Sequence, residues 1–168
     1  PYLSRGLGDV YKRQDIPEVD GFYGTRDLPE LLKNFEAKYR NELLGDRIIT
    51  TDSHYAYLKI SEGCDRPCSF CAIPLMRGRH ISKPIDQIIL EAKNLIRNGV
   101  REIMLIAQDS TYYGIDIYKK RAMSELLKKL SDVEGLDWIR IHYAYPAGFP
   151  MDIICLLYTS PSPRDRYG

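Results

Sequence analysis

The sequence has no apolar run of about 18 residues, the length that a membrane-crossing helix requires. Its first residues lack the basic and then apolar pattern of a secretion signal, so we expect a cytoplasmic location. The 24 lysines and arginines nearly balance the 23 acidic residues, so the net charge gives no electrostatic indication of direct nucleic-acid binding. Internal repeats are also missing.

Cysteine is scarce, with four residues in 168. Cys64, Cys68 and Cys71 lie together in the stretch SEGCDRPCSFCAIPLMRG, and Cys155 lies near the far end. In a reducing cytoplasm, clustered cysteines are more often metal ligands or redox groups than structural disulfides. The cluster of three is therefore the strongest functional signal in the sequence.

The two ends of the sequence are related at the level of DNA. Codons exist with which one strand encodes residues 4–14 and the opposite strand, shifted by one base, encodes residues 155–165. That relation is typical of a translated sequencing adapter and not of natural disordered tails rich in glycine and proline. We therefore expect residues 1–14 and 155–168 to be disordered tails derived from an adapter. The segment 15–154 then carries 19 basic and 21 acidic residues.

Hydrophobic periodicity divides most of the remaining segment into alternating strands and helices. Strands are predicted at residues 54–61, 101–107 and 138–142, and helices at residues 84–98 and 122–133. The alternating order predicts a parallel sheet with right-handed crossovers. The predicted fold class is α/β, a partial TIM-like parallel β/α barrel that stops after about three strands.

A further helix is predicted ahead of the sheet, over residues 28–44. Asp27 is its predicted N-cap, and Gly45 is expected to end it. We expect residues 15–52 to form a helical linker unit and residues 53–154 to form the partial barrel.

Polar residues follow the carboxyl end of each predicted strand. The cysteines follow the first strand, Gln108 and Asp109 follow the second, and residues 142–145 follow the third, where a loop is predicted at residues 143–154. The carboxyl ends of parallel strands meet at one edge of a sheet, so these residues should converge there. Two simpler interpretations stay open, since Asp109 also fits a helix cap and His142 also fits a satisfied core histidine.

The spacing C-x3-C-x2-C narrows the chemistry of the cysteine loop. A redox pair needs only Cys68 and Cys71 and has no use for Cys64. A structural zinc site wants four ligands and would have to recruit one of the three histidines. An iron–sulfur cluster tolerates one iron without a cysteine, which leaves a coordination site for another molecule. We favour an iron–sulfur cluster and keep a small zinc-binding interaction module as the alternative.

The stretch GCDRPCSFCAIPLMRGRHISKP resembles the radical S-adenosylmethionine (SAM) superfamily, and within it the methylthiotransferases. In that family three cysteines hold a 4Fe–4S cluster, SAM chelates the free iron, and reductive cleavage of SAM gives a 5′-deoxyadenosyl radical. The resemblance implies that Cys64, Cys68 and Cys71 are metal ligands. It also implies that Phe70, the family's aromatic residue before the last cysteine, is a cofactor-binding residue. At position 83 a lysine replaces the family's usual arginine. Six flanking positions fit the family pattern: Gly63, Pro74, Arg77, Gly78, Ser82 and Pro84.

Three further residues are predicted to bind the SAM cofactor. Arg77 is a candidate for neutralising the cluster or holding the SAM carboxylate, and the alternative is a solvent-facing loop arginine. Gln108 and Asp109 are candidates for the SAM ribose or amino group. No catalytic residue is assigned. Glu91, in the predicted helix 84–98, is expected to be a solvated position.

The segments LIAQDSTYYG (105–114) and IHYAYP (141–146) resemble one branch of the methylthiotransferases. That branch attaches a methylthio group to the β-carbon of an aspartate in ribosomal protein S-twelve of the small subunit. The branch that modifies tRNA adenosine differs at these places and is the alternative. The resemblance also implies an electron donor of the flavodoxin or ferredoxin type.

The resemblance covers about 100 residues, and members of the family have further domains that this chain does not show. Residues 15–52 resemble the end of its N-terminal domain, whose own cysteines bind a second 4Fe–4S cluster. A C-terminal domain binds the substrate protein. We expect the second cluster only in the full-length protein, and we expect this chain alone to be inactive in methylthiolation.

Overall fold

The structure is a computed structural model, and it describes residues 18, 20–21, 23–24, 27–37, 48–146 and 149–159. The predicted tail at residues 1–14 lies outside this set, and so do residues 160–168 of the other tail. The adapter origin of the tails stays a prediction.

The described elements alternate between strands and helices after the first helix. In chain order they are α1 (Leu28–Asn34), β1 (Tyr55–Lys59), β2 (Ser61–Glu62), α2 (Ile73–Arg77), β3 (Ile81–Ser82), α3 (Ile85–Arg97), β4 (Glu102–Ile106), a 3₁₀ turn (Ser110–Tyr112), α4 (Ile115–Tyr118), α5 (Met123–Ser131), β5 (Trp138–Ile141) and α6 (Met151–Thr159).

Three parallel strands form the central sheet, with β4 between β1 and β5. The register places Leu58 of β1 beside Leu105 of β4, and Leu105 beside Ile141 of β5. Helices α3 and α5 lie in the two crossovers, as a βαβαβ order requires. The predicted α/β fold and its three parallel strands are confirmed.

The burial of the strands follows their residue patterns. In β1 the odd positions Tyr55, Tyr57 and Lys59 are half-buried or exposed, while Ala56 and Leu58 are buried. Strand β4 is buried or half-buried along its whole length, as its continuous apolar run predicts. The buried face of the sheet packs on α3 and α5 and forms the core.

Each crossover helix buries the apolar face that its periodicity predicts. In α3 the buried apolar positions are Ile85, Ile88, Ala92 and Leu95, which recur at intervals of three or four residues. Helix α5 buries all four predicted residues in the same way: Met123, Leu126, Leu127 and Leu130. These two helices therefore hold the sheet from one side.

Helix α1 is shorter than predicted among the described residues. It ends at Asn34, and none of its residues is buried. Asp27 does not cap the helix with its side chain but accepts a hydrogen bond from the Gly24 amide (2.6 Å). Residues 38–47, where the predicted helix was expected to end, lie outside the described residues.

Helix α6 occupies residues predicted to be loop and tail. Ile153 is fully buried in the core, and the Ser124 hydroxyl of α5 donates a hydrogen bond to Asp152. Packing on α5 thus explains why residues 151–159 are helical, contrary to the predicted loop at 143–154 and to the disorder predicted from residue 155. Among the described residues, no helix has both the length and the apolar character needed to span a membrane.

Candidate metal centre

A two-stranded hairpin closes the base of the cysteine loop. Strands β2 and β3 pair antiparallel, so that Glu62 lies beside Ile81. The Cys64 amide then donates to the Gly78 carbonyl (3.1 Å), and the His80 amide donates to the Asp65 carboxylate (3.0 Å). The loop that carries all three clustered cysteines therefore begins and ends at nearly the same place.

Gly63 is required where the chain enters this loop. Its φ is +80°, and an added Cβ would lie 2.2 Å from the Arg79 carbonyl oxygen and 2.5 Å from that of Gly78. Both neighbours are backbone atoms, so they cannot turn aside as a flexible side chain would. A residue with a side chain would force the two ends of the loop apart.

The three clustered cysteines are free thiols and partly exposed. The Cys71 amide donates to the Cys68 carbonyl (3.1 Å), which makes a turn between the last two cysteines. Within the part of the chain that the structure describes, no three His, Cys, Asp or Glu side chains lie close enough together to hold a metal ion. The structure therefore places the thiols on one loop but does not bring them together as a ligand set.

The donor chemistry of this loop nevertheless fits an iron–sulfur cluster. Three thiols within eight residues, all accessible and none in a disulfide, are the soft ligands that such clusters use. Cys155 is exposed on α6 and does not belong to the same loop. Cluster binding would require the Cys64, Cys68 and Cys71 sulfurs to approach one another.

The predicted convergence at the carboxyl edge of the sheet is confirmed. Gln108, after β4, donates through Nε2 to Glu62 at the start of the cysteine loop (3.1 Å). The Ser110 amide donates to the Tyr143 carbonyl beyond β5 (3.1 Å). The segments that follow all three strands thus contact one another.

Arg66, which the sequence analysis did not single out, makes the most extensive connection at this edge. Its Nε forms an ion pair with Asp109, and Nη2 donates to Thr111 Oγ1 (3.4 Å). Its guanidinium also lies over the ring of Tyr145, 3.9 Å from the centroid, and 5.8 Å from that of Tyr112. The only signal in the sequence was an arginine placed between two predicted ligands.

Asp109 is buried and caps the 3₁₀ turn that follows it. Its Oδ1 accepts hydrogen bonds from the Thr111 amide (3.0 Å) and hydroxyl (2.6 Å), and its Oδ2 pairs with Arg66. The cap interpretation of Asp109 is therefore confirmed. Its binding of a cofactor stays a prediction.

The Glu62 carboxylate lies at the mouth of the loop, close to two positively charged side chains, and accepts hydrogen bonds from amide groups. Lys59 donates to its carboxylate, and Arg77 Nη1 lies 3.6 Å from its Oε1. Burial raises the pKa of Glu62, but the hydrogen bond and charge of Lys59, with the charge of Arg77, outweigh it, so the pKa lies below its usual value. Beside this group, Gln108 Oε1 is buried and has no hydrogen-bond partner among the residues that the structure describes.

Phe70 and Arg77 differ in their exposure and in their contacts. Phe70 is 92% exposed, whereas Arg77 ends α2 and faces Glu62. Their roles in cofactor binding stay predictions.

A buried polar chain lies on the return side of the loop. His80 Nε2 is 3.1 Å from Ser82 Oγ, which donates to Asp116 Oδ1 of α4 (2.6 Å). Burial lowers the pKa of His80, although Asp116, Asp65 and Asp109 act in the opposite direction. Burial raises the pKa of Asp116, but hydrogen bonds from the Ser82 hydroxyl and amide outweigh it and lower that pKa.

The prediction that Glu91 is solvated is wrong. Glu91 is buried on α3, where its Oε2 lies 2.5 Å from Lys83 Nζ. The Lys83 carbonyl also accepts a hydrogen bond from the buried Tyr113 hydroxyl (2.7 Å). Lys83 therefore fixes the end of the β2–β3 hairpin to α3. The residue spacing within α3 alone does not reveal this contact.

An open pocket of ≈ 510 Å³ lies on the other face of the sheet, near the same edge. It is lined by Tyr57, Lys59, Ile106, His142 and Tyr143. His142 is half-buried there, and its amide donates to the Leu105 carbonyl (3.1 Å). The predicted rim position of His142 is confirmed, while a role for its imidazole stays a prediction.

Relatives of this chain carry a consistent name. The ribosomal protein uS12 methylthiotransferase RimO of Cytophaga hutchinsonii is 58% identical over 156 residues, which cover 91% of this chain and 36% of that protein. The protein of the same name from Flavobacterium johnsoniae is 61% identical over 163 residues (95% and 37%). That from Bacteroides thetaiotaomicron is 53% identical over 139 residues (83% and 32%).

These comparisons confirm the resemblance to methylthiotransferases that the sequence motifs indicated. The chain spans about a third of the length of the curated relatives it matches. The model of the radical SAM superfamily matches residues 58–160, which include the end of β1, the cysteine loop and strands β4 and β5. This chain belongs to the radical SAM superfamily.

Proposed function

We propose that this chain carries the cluster-binding part of a methylthiotransferase that acts on an aspartate β-carbon of ribosomal protein S-twelve. The names of its relatives and the motifs at residues 105–114 and 141–146 support this substrate over tRNA adenosine. One observation carries the proposal: three free thiols lie on a single loop at the carboxyl edge of a parallel sheet.

Cys64, Cys68 and Cys71 would hold one 4Fe–4S cluster in this proposal. Held by three thiolates, such a cluster would keep one iron open for SAM and would supply the electron for the reductive cleavage of SAM. The four cysteines of the chain suffice for one cluster, so the second is expected only in a longer protein. An electron donor of the flavodoxin or ferredoxin type would meet the cluster in the cytoplasm.

The surrounding residues would shape the site for SAM. Glu62 and Gln108 lie at the mouth of the loop, where the buried Gln108 Oε1 is an acceptor that still needs a donor. An N–H donor such as the amino group of SAM would satisfy it. Arg77, at the same mouth, would balance negative charge on the cluster or on a carboxylate.

The test is reductive cleavage of SAM by the reconstituted chain. We expect the full chain, loaded anaerobically with iron and sulfide and then reduced with dithionite, to release 5′-deoxyadenosine, measured by liquid chromatography. Methylthiolated S-twelve should not form, because the chain lacks cysteines for a sulfur-donating second cluster. The Cys71→Ser variant is the matched control.

Two outcomes would overturn the proposal. A colourless protein that binds one zinc ion and cleaves no SAM would favour the zinc-binding interaction module. Methylthiolation of tRNA adenosine by a longer protein that contains this segment, with S-twelve left unmodified, would favour the alternative substrate.

A further inference from the structure

We propose that Arg66 is a positioning residue that fixes the Cys64 sulfur against the carboxyl edge of the sheet. This inference rests on the proposed function, because it gives Arg66 a role toward the cluster that Cys64 would bind. The backbone amide of Arg66 contacts Cys64, and its side chain contacts the segments that follow β4 and β5.

The backbone contact is to the sulfur itself. The Arg66 amide donates to Cys64 Sγ at 3.5 Å, within the range for a hydrogen bond to sulfur. Hydrogen bonds to ligand sulfurs are one of the means by which proteins set the reduction potential of an iron–sulfur cluster. The direction of the Arg66 amide therefore matters for the chemistry of this ligand.

The side chain of Arg66 determines where that amide points. Its Nε pairs with Asp109, and this is a sheltered pair, with 19% of the arginine side chain and 2% of the aspartate side chain exposed. Asp109 is held in turn by the Thr111 amide and hydroxyl. The cation lies 3.9 Å from the Tyr145 ring centroid, so the segment after β5 holds the guanidinium as well.

These contacts make Arg66 a support for the loop and not a ligand of SAM. Its guanidinium is engaged by a carboxylate, a hydroxyl and an aromatic face. Groups that orient a metal ligand in this way typically change metal affinity by about 10–100-fold when they are removed. We expect an effect of this size on iron retention.

The chain supplies a matched control at the other edge of the sheet. Arg101 and Asp137 precede β4 and β5 and pair through the same atoms, Nε and Oδ2, at 2.7 Å. Their side chains are 61% and 49% exposed, so their contribution should be small. Arg101→Ala removes an arginine–aspartate pair without touching the cysteine loop.

The experiment compares iron release from the reconstituted full chain by a chelator. Arg66→Ala should lose iron about 10–100-fold faster than the unaltered chain. Arg66→Lys should recover part of the difference, since an ammonium still pairs with Asp109 but does not form the same fork. Arg101→Ala should stay within about twofold of the unaltered chain, as exposed pairs contribute little.

Two further readouts separate positioning from folding. The midpoint potential of the cluster should become more negative in Arg66→Ala, because the amide at position 66 is no longer held toward Cys64 Sγ and its hydrogen bond weakens. In the cluster-free chain, alkylation of Cys64 should be faster in Arg66→Ala than in the unaltered chain, with the far-ultraviolet circular dichroism unchanged.

The outcomes are distinct. If the unaltered chain binds no iron, the proposed function fails, but the alkylation rates still decide the role of Arg66. If Arg66→Ala keeps the iron release rate, the potential and the Cys64 alkylation rate of the unaltered chain, the inference is overturned. If Arg66→Ala does not fold, the same three measurements on Arg66→Lys and on Asp109→Asn decide it, and values equal to those of the unaltered chain would overturn it.

Discussion

Two arginine–aspartate pairs lie at opposite edges of the same three-stranded sheet. At the carboxyl edge, Arg66 pairs with the buried Asp109, and aromatic rings cover the cation. At the amino edge, Arg101 pairs with Asp137 in open solvent. The chemistry of the two pairs is the same, but only the first connects a loop to the ends of neighbouring strands. Location and burial, not residue type, distinguish the pair at the carboxyl edge.

This difference extends to the loops around the two pairs. At the carboxyl edge, backbone, carboxylate and hydroxyl groups hold the cysteine loop through several contacts. At the amino edge, Gly99 has open space around its backbone, since nothing lies within 4 Å of an added Cβ. Changes at the carboxyl edge should therefore have larger effects than matched changes elsewhere.

The largest effect is expected from the cysteines themselves. Replacing Cys64, Cys68 or Cys71 by serine should lower the iron retained after reconstitution by about tenfold or more, because a hard hydroxyl replaces a thiolate. Cys155→Ser should retain the iron of the unaltered chain, since Cys155 is exposed on α6. Iron analysis after desalting measures both. Equal losses in all four variants would contradict the assignment.

The next effect compares two glycines with positive φ. Gly63→Ala should lower the free energy of unfolding by about 2–5 kcal/mol, which combines about 1–2 kcal/mol for the left-handed backbone with about 1–3 kcal/mol for overlap. Gly99 has φ +96° but no close neighbour, so Gly99→Ala should lower the free energy of unfolding only by the backbone contribution, about 1–2 kcal/mol. Urea denaturation of both variants gives the difference. Similar costs would show that the loop entrance is not tightly closed.

A third comparison concerns two glutamates in lysine pairs. Glu91→Gln should lower the free energy of unfolding by about 2 kcal/mol. This is less than the roughly 3–5 kcal/mol typical of fully buried pairs, because Lys83 retains partial access to water. Glu125→Gln breaks the exposed pair with Lys120 and should change stability little. Chemical denaturation at neutral pH provides the measurement. A negligible cost for Glu91→Gln would mean that this pair does not fix the hairpin to α3.

The smallest expected effect is a pH dependence due to His80. Because burial lowers its pKa below the usual value of 6.5, the folded chain favours the neutral imidazole. His80 therefore contributes stability above the unfolded pKa, and this is lost as the pH falls through the window below about 6.5. We expect the free energy of unfolding to decrease between about pH 7 and pH 5.5, and to decrease less in His80→Gln. An identical pH profile for the two proteins would contradict this account.

Asp116, which is linked to His80 through Ser82, titrates in a lower window. The folded-state pKa of Asp116 is lowered from 3.8, so its contribution to stability is present above that value and lost as the pH falls further. The range between about pH 7 and pH 5.5 therefore isolates the histidine from Asp116.

Much of the fold was predictable because local patterns determine it. The apolar spacing in α3 and α5 and the apolar run in β4 depend on residues close in sequence, and all three elements were predicted. Helix α6 was missed, because its stability depends on burial of Ile153 and on a hydrogen bond with Ser124, 28 residues away from Asp152.

The site was only partly predictable for the same reason. The motif spacing identifies Cys64, Cys68 and Cys71, and the strand order predicts that Gln108 and Asp109 lie near them. Arg66 was missed because its partner Asp109 is 43 positions away and a cation–aromatic contact leaves no spacing pattern.

The proposal that Cys64, Cys68 and Cys71 hold a cluster open to SAM is tested by the metal and sulfide content of the full chain after anaerobic reconstitution, together with its electron paramagnetic resonance spectrum. We expect about four iron and four sulfide per chain, and a spectrum of the reduced cluster that changes when SAM is added. One zinc per chain without sulfide, or a reduced cluster whose spectrum SAM leaves unaltered, would contradict it.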